Sequence, residues 1–188
     1  MRSFSAVGAA VVLCLAAVTA HATPNLVTNG DFATGNLSSW NVSGWFASSN
    51  TAGVTPFPGD NYFASTGCVN HYCTLSQTLS TSPGGTYDLS FAFNPGMNVS
   101  SSGADTQIFW DGTMVADVGL GALGWTVFTI DNLLASSAST TLQFSGYQNP
   151  AYNGVDAVSV VAVPEPLSIA LLGMGLAAFG LSRRRKSV

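Results

Sequence analysis

Between residues 23 and 162, short apolar or every-other-residue runs are cut by clusters of Gly, Asn, Asp, Ser and Pro. Period-two alternation puts every second side chain on one face of an extended strand, and turn-forming clusters end the strand. In 87–93 the residues Tyr87, Leu89, Phe91 and Phe93 share a face, as do Leu75, Gln77 and Leu79 in 74–79. Further runs at 26–28, 40–47, 62–64, 125–130, 140–144 and 155–161 read as strands. Runs 106–110 and 114–118 flank Asp111-Gly112, a pair that tolerates the positive φ of a tight hairpin turn. No amphipathic helix appears, and 133–139 is short enough to be a turn. About nine strands at this spacing predict an all-β fold, a β-sandwich of jelly-roll type. Stretches 48–60 and 94–104 are rich in Gly, Pro, Ser and Asn and read as long loops, either binding loops or plain surface.

The two ends break this pattern. Arg2, the apolar run 6–18 and Ala20-His21-Ala22 together read as a secretory signal over 1–22, cleaved before Thr23. At the other end, Pro164-Glu165-Pro166 precedes an apolar run, 167–181, which ends at Ser182 and the basic block Arg183, Arg184, Arg185 and Lys186. A segment of this length is at the lower limit for a membrane-spanning helix, expected at 167–182. The basic block is expected to stop it on the cytoplasmic side of the inner membrane, which puts the domain on the periplasmic side. The chain thus divides into a signal peptide (1–22), a β-domain (23–162) and a tail (163–188).

Charge narrows the function. Only 7% of the 188 residues are charged, and all five Lys and Arg lie at the two ends. Residues 23–162 hold eight Asp and no Lys or Arg. A nucleic-acid surface needs cations to displace phosphate counterions, so nucleic acid is excluded as a partner. Phosphoryl transfer fails for the same reason, because no cation is present to clamp the phosphate.

Few residues could carry chemistry. Cys68 and Cys73 are the cysteines left after signal removal, and in an exported chain they are expected to form a disulfide. With His71 they also form a Cys-His-Cys set, though the spacing is unusual for zinc and a fourth ligand would have to come from a distant Asp. His71 is the domain's one histidine, and no Gly-x-Ser-x-Gly elbow accompanies it, so no catalytic residue is assigned. Most of the Asp residues sit in turn-like contexts where turn-making explains them. Sugar binding needs aromatic rings flanked by polar groups, since a sugar's C–H face stacks on a ring while its hydroxyls hydrogen-bond. The candidates for such contacts are Trp45 and Phe46, Tyr72 in the cysteine loop, and Tyr147, Asn149, Tyr152 and Asn153 in the connector before the last strand.

Two resemblances extend this reading. Pro-Glu-Pro, a short apolar span and an Arg-rich end resemble the PEP-CTERM sorting signal of Gram-negative, exopolysaccharide-producing bacteria. The resemblance implies that an exosortase, an intramembrane transpeptidase, recognises Pro164, Glu165 and Pro166 and removes the helix. The domain would then pass to the cell surface or matrix. The opening Asn25-Leu26-Val27-Thr28-Asn29-Gly30-Asp31-Phe32, with the runs at 75–79, 87–91 and 154–160, resembles galactose-binding-like jelly rolls, the fold of many carbohydrate-binding modules.

Such modules often hold a structural calcium between the opening segment and the last strand, which makes Asp31 and Asp156 the candidate ligands here. Ala33 and Ala157 stand where the family tends to place further acids. The simpler alternative has Asp31 cap a turn and Asp156 accept backbone amides. Apart from that structural calcium, no cofactor is expected. The expected protein is exported, exosortase-sorted, non-catalytic and associated with polysaccharide. A matrix protein with no ligand site and a glycoside-active enzyme are the alternatives.

Overall fold

The computed structural model describes residues 23–97, 104–119 and 123–164. Ten strands form two five-stranded antiparallel sheets. They are β1 (Asn41–Ser43), β2 (Trp45–Ser48), β3 (Phe63–Thr66), β4 (Cys73–Ser80), β5 (Thr86–Asn94), β6 (Ala104–Trp110), β7 (Thr113–Val118), β8 (Thr126–Leu134), β9 (Ser139–Gln148) and β10 (Asn153–Ala162). One sheet runs β1-β4-β9-β6-β7 and the other β2-β3-β10-β5-β8. This is the expected jelly-roll sandwich, and the described residues contain no helix. None of them therefore forms a helix long and apolar enough to cross a membrane. The signal peptide, Glu165, Pro166, the apolar run and the basic block lie outside the described residues.

Alternation determines the packing. The inward residues Leu75, Leu79, Leu89, Phe91, Ile108, Leu142 and Phe144 are buried between the sheets. Burying each such side chain contributes about 1.5–3 kcal/mol. Gln77 sits on the same inward face without leaving an unpaired amide. It accepts from the Thr28 N–H at 2.8 Å and donates to the Thr28 carbonyl at 2.9 Å, so its amide serves as a strand neighbour. At the Asp111-Gly112 hairpin both residues have positive φ, 50° and 79°, as a primed turn requires.

Two expected strands differ. The run at 40–47 is split at Gly44, whose φ of +71° turns the chain from one sheet into the other. Residues 26–28 form no named strand, but they lie along β10. The Leu26 N–H donates to the Val160 carbonyl at 2.8 Å, and the Val158 N–H to the Gly30 carbonyl at 2.9 Å. Asn25 closes this edge, accepting from the Val160 N–H at 2.9 Å through its side chain.

Candidate functional site

On the β1-β4-β9-β6-β7 sheet, alternation turns Asp105 and Gln107 of β6 outward while Ala104, Thr106 and Ile108 point in. Antiparallel register then decides their neighbours. Tyr147 of β9 stands opposite Asp105, and Asp117 of β7 stands opposite Gln107. Tyr72, just before β4, reaches over this group. Its hydroxyl donates to Asp105 Oδ2, and its ring lies 6.0 Å from that of Tyr147, tilted by 49°. Gln107 Nε2 donates to the Tyr72 hydroxyl at 3.4 Å. Tyr72 remains 43% exposed.

The group's charges are coupled. The hydrogen bond to Asp105, followed by burial and nearby negative charge, pushes the Tyr72 phenol up to about 12. The Asp117 carboxyl is held up to about 6, first by its hydrogen bond with Asp105 and then by burial and the Asp105 charge. Asp105 Oδ1 is buried without an N–H or hydroxyl partner. The result is an aromatic pair beside two carboxyls and an amide, a set able to stack on a ring's C–H face and hydrogen-bond its hydroxyls.

The sequence-derived contact residues divide in two. Tyr72 and Tyr147 belong to this face. Phe46, 40% exposed, and Tyr152 form a second aromatic pair, edge to face at 5.7 Å. Asn149 is exposed. Trp45 and Asn153 are corrections, because both are interior residues. Trp45 is 5% exposed and its indole N–H donates to the Cys73 carbonyl at 2.9 Å. Asn153 is fully buried and donates to Thr106 Oγ1 at 2.9 Å and to the Tyr147 carbonyl at 3.0 Å. Asp105, Gln107 and Asp117 were not among the sequence candidates. Their outward alternation was visible, but the register that gathers them was not.

Cys68 and Cys73 are joined as a disulfide. The loop between them carries Tyr72, and Gly44 packs against both sulfurs, where a Cβ would come within 2.1 Å of Cys73 Sγ.

The calcium candidates lie where the last strand bulges. Asp156 is fully buried, with Oδ1 accepting the Ala157 N–H at 2.7 Å and Oδ2 unpartnered. Burial first, then the charges of Asp60 and Asp31, push its carboxyl up to about 8. A buried orphan oxygen that feels the charge of two further carboxylates suits a hard cation. Asp31 itself is exposed and caps a turn, accepting the Ala33 N–H at 3.2 Å. Among the described residues, the trio of His, Cys, Asp or Glu ligand atoms lying within 4.8 Å of one another is Cys68, His71 and Cys73. The three carboxylates therefore suit calcium in chemistry but are not drawn in around a single point.

The family model of the PEP-CTERM protein-sorting motif matches residues 162–186. That motif implies a secreted, membrane-anchored chain processed by an exosortase. No curated protein matches the sequence. Solved structures share the fold at low identity. TmCBM61, solved with β-1,4-galactotriose, is 17% identical with a TM-score of 0.56, covering 75% of this chain and 100% of its own. The CBM22-1 xylan-binding domain of Xyn10C from Paenibacillus barcinonensis is 13% identical with a TM-score of 0.55, covering 79% and 100%. The K1 cleaved adhesin domain of Lys-gingipain from Porphyromonas gingivalis is 14% identical with a TM-score of 0.55, covering 71% and 96%. The neighbours are mainly carbohydrate-binding modules, and the chain shares their jelly-roll fold.

Proposed function

We propose that the β-domain is a non-catalytic polysaccharide-binding module, displayed by exosortase sorting at the cell surface or in the exopolysaccharide matrix. In this reading Tyr72 and Tyr147 stack on the glycan, while Asp105, Gln107 and Asp117 bond its hydroxyls. The observation that carries it is the pair of exposed Tyr72 and half-buried Tyr147 set directly beside those polar groups. Before processing, the tail holds the domain on the periplasmic side of the inner membrane. The exosortase acts at Pro164, Glu165 and Pro166, with Arg183, Arg184, Arg185 and Lys186 left behind. With eight Asp and no cation in residues 23–162, the domain repels anionic polymers, which favours a neutral glycan.

The test is sedimentation of the full chain, solubilised in detergent, with the producing organism's own extracellular polysaccharide, with calcium and with chelator. Saturable binding that Tyr72→Ala weakens supports the proposal. Absence of binding in both conditions overturns it and leaves a structural matrix protein.

A further inference from the structure

The Cys68–Cys73 loop gathers three metal-ligating side chains that the glycan face does not use. Their ligand atoms all lie within 4.8 Å of one another. His71 Nε2 is 3.5 Å from Cys73 Sγ. A shared metal would place a sulfur and an imidazole nitrogen about 3.6 Å apart, given bonds of about 2.3 and 2.05 Å at a tetrahedral angle. The imidazole therefore already stands at the separation a bridging cation requires.

Its tautomer points the same way. His71 Nδ1 lies 3.0 Å from the Val69 carbonyl, which can only accept. Nδ1 thus carries the proton and Nε2 keeps the lone pair that faces the sulfur. A backbone carbonyl commonly orients a metal-binding histidine in this manner. The two Cα atoms are 6.0 Å apart, leaving room for the sulfurs to part to about 3.8 Å around one ion. Gly44 packs bare backbone against both sulfurs, and Thr66 Oγ1 lies 3.4 Å from Cys68 Sγ, placed to donate to it. His71 is exposed, so an ion can enter from solvent. With no Lys or Arg in residues 23–162, nothing in the domain repels a cation.

We propose that this loop, once its disulfide is opened, is a redox-gated site for a thiophilic closed-shell cation, copper(I) or zinc(II), held by Cys68 Sγ, Cys73 Sγ and His71 Nε2. A dithiol supplies the opening. Its two sulfurs become a disulfide, and two electrons and two protons pass to Cys68 and Cys73. The cation then displaces both thiol protons to solvent and binds two thiolates and the neutral imidazole. Copper(I) is satisfied by three ligands, whereas zinc takes water as its fourth. In the oxidised state neither sulfur is a thiolate and the site is shut.

The test uses the full chain in detergent with Cys14→Ser, so that Cys68 and Cys73 are its two thiols. One sample stays oxidised and one is reduced by a phosphine without oxygen. Each is titrated with zinc(II), and separately with copper(I) against a chromogenic copper(I) chelator. The expected result is one equivalent bound by the reduced chain and none bound tightly by the oxidised chain, with thiol alkylation blocked by the metal. His71→Ala, a change at an exposed position, should weaken binding at least tenfold. Equal binding by both redox forms overturns the proposal, and so does an unchanged affinity in His71→Ala. Loss of the β-sheet circular dichroism on reduction, not restored by metal, also overturns it, because the ligands are then no longer held together.

Discussion

The Tyr72 hydroxyl donates to a carboxylate oxygen of Asp105, 33 residues further along the chain. This bond ties the disulfide loop to the outward face of β6 and keeps one exposed ring beside Tyr147. Tyr72→Ala is expected to cost about 1–2 kcal/mol of polysaccharide binding, a five- to thirtyfold rise in Kd. Tyr72→Phe, which keeps the ring, should lose less. Affinity electrophoresis in polysaccharide gels measures both, and an unchanged mobility shift in Tyr72→Ala would remove this face from consideration.

Trp45→Ala should behave in the opposite way. The indole is buried and hydrogen-bonded to the Cys73 carbonyl, so its loss leaves a cavity and an unpaired acceptor. The expected cost is about 3–5 kcal/mol of folding stability. Urea unfolding followed by tryptophan fluorescence reads it. A stability loss below about 1 kcal/mol would contradict a core role.

Acidity should stabilise the domain over a defined window. Asp117 ionises near 3.8 when unfolded and near 6 when folded. Between those values the folded chain holds the extra proton, so stability falls as pH rises from about 4 to 6 and then levels for this group. Asp156, pushed up to about 8 by burial, continues the decline in the same direction towards pH 8. Asp117→Asn should flatten only the lower part of the curve. Thermal melts of both proteins from pH 4 to 8 check this, and parallel curves would refute the Asp105–Asp117 coupling.

Calcium should raise the melting temperature of the wild-type chain, and chelator should reverse the rise. The increment should grow from pH 6 to 9, because the cation must displace the proton that burial keeps on Asp156. Asp156→Asn should melt at the same temperature with or without calcium. If the wild type also ignores calcium, Asp156 is a buried acid whose role is confined to accepting the Ala157 N–H.

What could be read in advance was local. Tyr87, Leu89, Phe91 and Phe93 announce their shared face by alternation, and Asp111-Gly112 announces its hairpin by chemistry alone. Pairing across long separations was not legible. Nothing near Asp117 shows that it stands opposite Gln107, and nothing near Tyr147 shows Asp105 across from it. Trp45 reads as a loop platform because it follows Gly44. Only the pairing of Trp45 with Thr66 in β3 turns the indole inward. Asp60 belongs to a long loop, and its charge bears on Asp156 through a fold that no spacing rule reveals.

The pairing of 26–30 with β10 makes closure of the sandwich depend on its last strand. The first folded segment of the domain binds to its last strand, and that strand occupies the middle of its sheet, between β3 and β5. Until the chain is complete to residue 162, its opening segment lacks a partner and β3 and β5 lack the strand that joins them. The β1-β4-β9-β6-β7 sheet contains no part of β10 and is free of that requirement. A chain cut short before Asn153 therefore leaves one sheet with its strands and the other divided at its middle.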